Sequence, residues 1–200
     1  MARDMGPVLK RCRSLGVDPM VLGINKKSNR TNARAGKKVS EYGLQLREKQ
    51  KAKFIYGVLE KPFRNNFEKA QKIKEGTTGD NMLVLLELRL DNVMFRLGYA
   101  RTRKEARQIV DHKHVLVNGK CVNIPSYQVK AGDVISICEK GKNKGAQRYK
   151  DIFEVTEGRT VPSWLEADHE NFTGKVVEIP SRDVIDVPVN PTLIVELYSK

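Results

Sequence analysis

The stretch of sequence that decides the fold is RLDNVMFRLGYARTRKEARQIVDHKHVLVNGKCVNIPSYQVKAGDVI, residues 89–135. Within it, Thr102 followed by Glu105 forms a capping box, which predicts a helix that begins there and ends near Val110. The apolar residues then change from helical spacing to alternation, which is typical of strands. Asn118-Gly119 between two alternating runs predicts a two-residue hairpin, because both turn positions need a positive φ. The stretch therefore predicts a helix followed by a small antiparallel sheet.

Weaker signals follow on the C-terminal side. Pro125–Tyr127 is predicted to lead into a short strand, and Val134–Cys138 alternates like another strand. Residues 139–150, EKGKNKGAQRYK, are predicted to form a basic hinge or loop, with a short helix at 147–156. The apolar end, Leu193–Tyr198, is predicted to pack back onto the body of the protein.

Three helices are predicted before the decisive stretch. Ser40 is a suitable N-cap for a helix over Glu41–Tyr56, and Pro62 is a suitable opening residue for a second helix. The third predicted helix is rich in leucine and runs roughly from Asn81 to Leu97. Residues 1–39 carry ten Lys or Arg and two acids, with no aromatic residue. They predict an extended or weakly structured basic arm that a partner orders.

The charge is distributed unevenly along the 200 residues. The formal net charge is +13, but residues 1–150 carry 33 Lys and Arg against 14 Asp and Glu, whereas residues 151–200 carry 4 against 10. So strong a positive field repels itself unless a polyanion neutralises it. Nucleic acid is favoured over an anionic membrane, because a membrane-binding basic helix needs Trp and Phe on its apolar face and the single tryptophan, Trp164, lies in the acidic part.

Other classes of protein are excluded by simple counts. The longest apolar run, Met82–Leu86, is five residues, whereas a membrane helix needs about 20. The N-terminus lacks the apolar region of a secretory signal. Three widely spaced cysteines are an odd number and favour a reduced, cytosolic chain over a disulfide scaffold.

Four cations lie at the start of the capped helix: Arg101, Arg103, Lys104 and Arg107. Residues 103, 104 and 107 are predicted to share one side of the first two turns, where the free amides and the helix dipole also favour an anion. The cluster is predicted to be a phosphate clamp. The hairpin adds Asn118 and Lys120, and Ser126 and Tyr127 are candidate sugar or base-stacking contacts. An ordinary solvated helix face is the alternative interpretation.

Residues 89–135 closely resemble the S4 RNA-binding domain, a helix–hairpin module that grips structured RNA. ARDMGPVLKRCR (2–13), SEYGLQLREKQKAKFIYGVLEKPFRNNF (40–67) and LIVELYSK (193–200) extend the similarity to the S4 family of bacterial small-subunit ribosomal proteins. The resemblance implies an α+β fold with a basic arm (1–39) and a helical domain (40–91, joined by 181–200). An inserted S4-type RNA-binding domain with its extension (92–180) interrupts the helical domain.

The resemblance also implies a function. A member of this family is a primary binder of small-subunit rRNA at a multi-helix junction, nucleates assembly of the subunit body and affects translational accuracy. It lies near the site where mRNA enters and contacts ribosomal protein S5. The implied partners are therefore rRNA, mRNA and S5 in the cytoplasmic ribosome, with no membrane, no small-molecule substrate and no cofactor.

The predicted contacts fall into a basic set and an acidic set. The basic and polar set is predicted to contact RNA: Arg3, Lys10, Arg11, Arg13, Lys37, Lys38, Tyr42, Arg47, Lys49, Lys51, Lys53, Arg64, Arg101, Thr102, Arg103, Lys104, Arg107, His112, Asn118, Lys120, Ser126 and Tyr127. Glu166, Asp168 and Glu170 gain nothing from phosphate contact and are predicted to face S5.

An enzyme is the alternative function. Arg89-Leu-Asp91 is similar to a motif of pseudouridine synthases, in which the Asp is catalytic, so an RNA-modifying enzyme would act through Asp91. However, Asp91 falls within a leucine-rich helical period, and 200 residues leave little room for a catalytic domain. We therefore predict that the chain is not an enzyme.

A metal site is not predicted either. His112, His114, Cys121 and Cys138 lack the spacing of metal ligands. Members of the S4 family often carry several N-terminal cysteines as metal ligands, whereas this chain has only Cys12 in that region. Since a zinc site needs about four sulfur or nitrogen ligands, no metal is expected there.

Overall fold

The computed structural model describes residues 6–26, 28–30 and 39–199, with residues 139–146 as backbone only. These residues form eight α-helices and five strands: α1 (Val8–Leu15), α2 (Glu41–Tyr56), α3 (Glu60–Gln71), α4 (Thr78–Glu87), α5 (Leu90–Arg96), α6 (Arg103–Asp111), β1 (Val115–Val117), β2 (Lys120–Cys121), β3 (Val134–Ile137), α7 (Glu139–Thr156), β4 (Leu165–Asp168), β5 (Thr173–Val176) and α8 (Pro191–Tyr198). The predicted α+β class is confirmed.

The chain divides into two compact units. One contains the described residues up to Leu83 and those from Asp186 onward, and the other is Val84–Ile185. The boundary lies inside α4, earlier than the predicted boundary at residue 91. Among the described residues, no helix is long and apolar enough to span a membrane.

The first unit contains α1, α2 and α3 with the C-terminal helix α8. The predicted Glu41–Tyr56 helix is confirmed, with Ser40 Oγ accepting a hydrogen bond from Gly43 N–H. The helix α8 returns to this unit, where Gln45 donates to Glu196 at 3.0 Å and the Tyr198 ring stacks on Phe67 at 4.6 Å between centroids. The return of the C-terminal segment therefore combines a polar contact with aromatic packing.

The predicted extended arm is wrong at residues 8–22. These residues form α1 and a 3-10 helix, Pro19–Leu22, and Asp18 caps the 3-10 helix by accepting from Met20 N–H. Cys12 and Val17 are buried, and the Arg11 guanidinium lies 5.3 Å from the centroid of the Phe54 ring. Burial against its own unit therefore contributes to the order of this segment.

The single predicted helix over 81–97 is also wrong, because it is broken into α4 and α5. Arg89 is extended and forms a β-bridge with Gln128, and Val129 N–H donates to Leu88 O at 3.0 Å. The Asn92 side chain donates to Glu87 O at 2.9 Å and so satisfies a carbonyl at the break. Leucine spacing alone did not reveal this contact between residues distant in sequence.

The second unit is built on an antiparallel sheet in the order β2-β1-β3-β5-β4. The predicted hairpin is confirmed, with φ of 49° at Asn118 and 76° at Gly119. The short strand predicted to follow Pro125–Tyr127 is reduced to Gln128, which forms an isolated β-bridge with Arg89. Pro125–Tyr127 themselves form a turn, and the carbonyls of Tyr127 and Pro125 accept hydrogen bonds from the first amides of α5, Leu90 N–H and Asp91 N–H.

Residues 139–150 lie inside α7 and are not the predicted loop. Buried Tyr149 and Ile152 pack this helix into the core of the second unit. The acidic part then supplies β4 and β5. The approach of α5 to β5 is close, since a Cβ at Gly174 would lie 2.6 Å from a Leu97 methyl carbon.

Candidate nucleic-acid interface

The helix α6 begins with a cap that differs slightly from the predicted capping box. Thr102 Oγ1 accepts a hydrogen bond from Glu105 N–H at 3.2 Å, as predicted. The Glu105 carboxylate reaches back to Arg101 N–H at 2.9 Å, one residue before the N-cap. The cap therefore fixes Arg101 as well as the first turn of the helix.

Two of the clustered cations on α6 point inward. Arg103 is only 7% exposed; its Nε donates to Asn92 Oδ1 at 2.7 Å, and its guanidinium lies 4.2 Å from the Phe95 ring centroid. Arg107 donates through Nε and Nη2 to Asp91 Oδ2 at 3.0 and 2.6 Å. The expectation that residues 103, 104 and 107 form one outward cationic face is wrong, because carboxylate and amide groups of α5 draw the two arginines in.

Asp91 is the centre of this inner arrangement and is 2% exposed. Arg89 donates to Oδ1 at 3.0 Å and to Oδ2 at 2.8 Å, so both oxygens accept from one guanidinium and Oδ2 also accepts from Arg107. A buried carboxylate whose two oxygens accept hydrogen bonds from two guanidiniums is closed to substrate. The geometry therefore does not fit a catalytic Asp91.

A different set of residues faces outward. Arg101, Lys104, Gln108 and His112 follow one another at intervals of three or four residues, and each is exposed. Lys104 and Gln108 lie on one side of α6 by this spacing, His112 is the C-cap at its end, and Arg101 lies just before the N-cap. We call these four exposed residues the α6 stripe. Gln108 was not among the predicted RNA contacts, although it lies four residues from both Lys104 and His112, a spacing that indicates a shared helix face.

The α6 stripe is positively charged where it begins. Glu105 Oε1 lies 3.2 Å from Nη2 of Arg101 and 3.2 Å from Nη2 of Arg148, a residue of α7. Burial alone would raise the pKa of Glu105, but the hydrogen bonds from Arg101 and Arg148 outweigh it and lower the pKa. Two half-exposed guanidiniums on one carboxylate leave one net positive charge, at a helix N-terminus that already favours anions.

The hairpin residues have mixed roles. Lys120 is exposed, but the Asn118 side chain donates to Asp133 Oδ1 at 2.8 Å and accepts from Val134 N–H at 2.9 Å, so it holds the hairpin to β3. Ser126 is exposed, whereas Tyr127 is half-buried against the core. The stacking platform expected at Tyr127 is therefore only partly accessible.

The histidines and cysteines near the hairpin do not form a metal centre. The rings of His112 and His114 lie edge to face, 6.2 Å apart between centroids. The pKa of His114 is lowered, mainly by burial and secondly by the nearby His112. Within the described ranges, no group of three or more His, Cys, Asp or Glu could hold a metal ion. All three cysteines are free thiols.

In the described part of the first unit, three of the four predicted lysine contacts are ion pairs. Glu60 receives Lys49 at 3.0 Å and Lys53 at 2.6 Å, and Lys51 pairs with Glu48. Burial alone would raise the pKa of Glu60, but the hydrogen bonds from Lys53 and Lys49 lower it to about 2. Three lysines thus share two carboxylates, and their side chains are only 13–16% exposed, so they present little of their charge to a partner.

The remaining predicted residues of the first unit vary in exposure. Lys10 and Tyr42 are exposed, and Arg47 is half-buried. Arg13 donates to Leu9 O at 3.4 Å, and Arg64 is exposed and pairs with Glu68 at 3.3 Å. Exposed lysines in and after α3 were left out of the predicted contacts although their charge was visible: Lys61, Lys69, Lys72 and Lys74. Arg3, Lys37 and Lys38 lie outside the described residues.

The acidic residues predicted to face a protein are exposed. Glu166 and Asp168 belong to β4 at the edge of the sheet, and Glu170 follows in the turn to β5. The side chain and backbone amide of Asn171 donate to Asp168, which lowers the pKa of its carboxyl. An edge strand with charged residues also discourages pairing with other strands.

The second unit thus contains a helix–hairpin module with a cationic outer stripe. A family model described as "S4 domain" matches residues 88–135, and one described as "Ribosomal protein S4/S9 N-terminal domain" matches residues 3–87. The two matches together define an S4-domain protein of the ribosomal class. They also place α6 and the hairpin within the S4 domain.

Relatives extend over the whole chain. Small ribosomal subunit protein uS4 of Lachnoclostridium phytofermentans is 82% identical over 200 residues, with 100% of both chains covered. Proteins of the same name from Lachnospira eligens and Agathobacter rectalis are 71% and 67% identical, again with 100% of both chains covered. The chain belongs to the uS4 family of small ribosomal subunit proteins, which are structural proteins and not enzymes. The predicted resemblance is confirmed, and the pseudouridine synthase alternative at Asp91 is wrong.

Proposed function

We propose that the chain is a primary binder of small-subunit rRNA, at a multi-helix junction, and that it nucleates assembly of the body of that subunit in the cytoplasmic ribosome. The observation that carries this proposal is the α6 stripe. Lys104 and Gln108 are exposed on α6, with exposed Arg101 and His112 at its two ends, and the inner arginines of this helix bind Asp91 and Asn92. A rigid frame holds the outward side chains in place and so lowers the entropic cost of binding.

The stripe suits recognition of RNA by its backbone and shape. At 1.5 Å per residue, the part from Lys104 to His112 extends roughly 12 Å along α6, which is longer than the spacing of neighbouring phosphates. The A-form major groove is too deep and narrow for side chains, so phosphate and 2′-hydroxyl contacts dominate. Cations with one hydrogen-bonding amide, Gln108, are the types of side chain that make such contacts.

The finer roles are part of the same proposal. Glu166, Asp168 and Glu170 form an acidic patch that we expect to face a basic neighbour, ribosomal protein S5. We expect mRNA near Lys37 and Lys38, and an effect on translational accuracy through the S5 contact. Reversing the charge of the three acids should weaken binding to S5, and unchanged binding would contradict this part of the proposal.

The experiment for rRNA binding measures affinity for a junction-containing rRNA transcript over a series of salt concentrations. We expect log K to fall steeply with log salt, because bound cations release counterions. Lys104→Ala should weaken binding about tenfold and reduce the slope by about one. Lys175→Ala removes an exposed cation from β5 and is the matched control. A flat salt profile, or an equal loss in both variants, would contradict the proposal.

A further inference from the structure

The turn between α5 and α6 decides where the N-terminus of α6 and the α6 stripe lie. The turn passes through Gly98, with φ of 84°, and runs directly into the N-cap Thr102. Carbonyls at the end of a helix and in the turn that follows it lack helical partners and need donors from elsewhere. The position of the stripe therefore depends on whatever holds these carbonyls.

One side chain holds three of the carbonyls. Arg159 follows α7, and its Nη1 donates to Phe95 O and to Ala100 O, each at 3.2 Å. Its Nη2 donates to Arg101 O at 3.1 Å. Three of the five N–H donors of the guanidinium are thus engaged by the turn.

The guanidinium of Arg159 also packs against the inner frame of α6. It lies 4.3 Å from the Phe95 ring centroid, and Arg103 of α6 lies 4.2 Å from the same centroid. Beside it, the buried Thr156 at the end of α7 has its hydroxyl 3.1 Å from Gly98 O. The end of α7 therefore contacts the turn at Phe95, Gly98, Ala100 and Arg101.

We propose that Arg159 is a positioning residue for RNA binding, which fixes the α5–α6 turn and so sets the α6 stripe in place for phosphate contacts. This inference rests on the proposed function. Arg159 lies beyond residues 88–135, the part matched by the S4-domain model. The segment after α7 thus acts as a brace for that domain. A lysine keeps the charge but lacks the planar fork that reaches three carbonyls.

The first test measures affinity of the full-length protein for the junction-containing rRNA transcript. Arg159→Lys, which preserves net charge, should weaken binding about tenfold, because charged hydrogen bonds that fix the turn are lost. Lys150→Ala removes an exposed cation of α7 that lies outside the turn and should change affinity less than about twofold. Unchanged binding by Arg159→Lys would overturn the proposal.

The second test separates positioning from general stability by amide hydrogen exchange. In Arg159→Lys, the amides of residues 101–105 should exchange faster, whereas those of Ile135–Ile137 in the sheet should keep their rates. Unchanged exchange in residues 101–105, or equally faster exchange throughout the second unit, would overturn the proposal. Because this measurement needs no RNA, it tests whether Arg159 holds the turn even if the protein does not bind the transcript.

The third test is a double-mutant cycle of Arg159→Lys with Lys104→Ala. If Arg159 acts through the stripe, the double variant should lose less affinity than the sum of the losses in the two single variants. Fully additive losses would mean that Arg159 acts on RNA independently, and would overturn the proposal. Failure of the unmodified protein to bind the transcript would refute the proposed function, while exchange in residues 101–105 would still decide whether Arg159 holds the turn.

Discussion

The helices α2 and α6 have similar sequence signals, but carboxylates hold their predicted RNA-binding cations in different ways. Each begins at a hydroxyl N-cap, and four predicted RNA-binding cations lie in α2 and four at the start of α6. On α2, two carboxylates, Glu48 and Glu60, hold three lysines whose side chains are only 13–16% exposed. At α6, a buried carboxylate, Asp91, draws Arg107 inward, and the outer stripe is a separate set of residues. The difference teaches that the position of the carboxylates decides which cations are available.

The largest effect should come from removing the buried carboxylate. Asp91→Ala leaves Arg89 and Arg107 as buried or half-buried charges without that partner and should destabilise the second unit by about 3–5 kcal/mol. Urea unfolding followed by the fluorescence of Trp164, the single tryptophan and a buried residue of this unit, measures the change. Glu154→Ala, which removes an exposed carboxylate of the same unit, is the control. A loss for Asp91→Ala as small as the control's would mean that the buried carboxylate stabilises the unit no more than an exposed one does.

The second effect compares one cation from each helix in RNA binding. Lys104→Ala should weaken binding about tenfold, whereas Lys53→Ala should weaken it less than about twofold, because Lys53 is only 13% exposed and its ammonium is held by Glu60. Filter binding to the same rRNA transcript at one salt concentration measures both variants. A larger loss for Lys53→Ala would reverse the comparison and move the main contact to α2.

The α6 region also shows what local sequence can and cannot predict. The hairpin at Asn118-Gly119 and the Thr102 cap were predictable, because each depends on residues within a few positions. The inward turn of Arg103 was not, since its partner Asn92 lies on another helix, eleven residues earlier. The break between α4 and α5 depends on Gln128 and Val129, which the leucine spacing does not contain. Contacts across the fold, rather than local preference, decided both cases.

The third effect is the pH dependence of the first unit. The pKa of Glu60 falls from 4.5 to about 2 on folding. Its stabilisation is therefore fully present above pH 4.5 and is lost as the pH falls from 4.5 towards 2. Because Glu60 is half-exposed, we expect a loss of about 1 kcal/mol. Urea unfolding followed by far-UV circular dichroism should show a weaker pH dependence in Glu60→Gln, and an identical profile would contradict the assignment to Glu60.

The smallest effect should come from the exposed pair Arg64–Glu68 of α3. Its side chains are 69% and 54% exposed, so Arg64→Ala should destabilise the first unit by less than about 0.5 kcal/mol. The order of charges, with the cation nearer the helix N-terminus, is also the less favourable one. Circular dichroism during urea unfolding measures the loss, with Gln71→Ala as an exposed, uncharged control on the same helix. The difference from the control should disappear at about 1 M salt, where the Debye length is roughly 3 Å. A loss above about 1 kcal/mol that persists in salt would show that exposed pairs on this unit stabilise it as strongly as partly buried ones do.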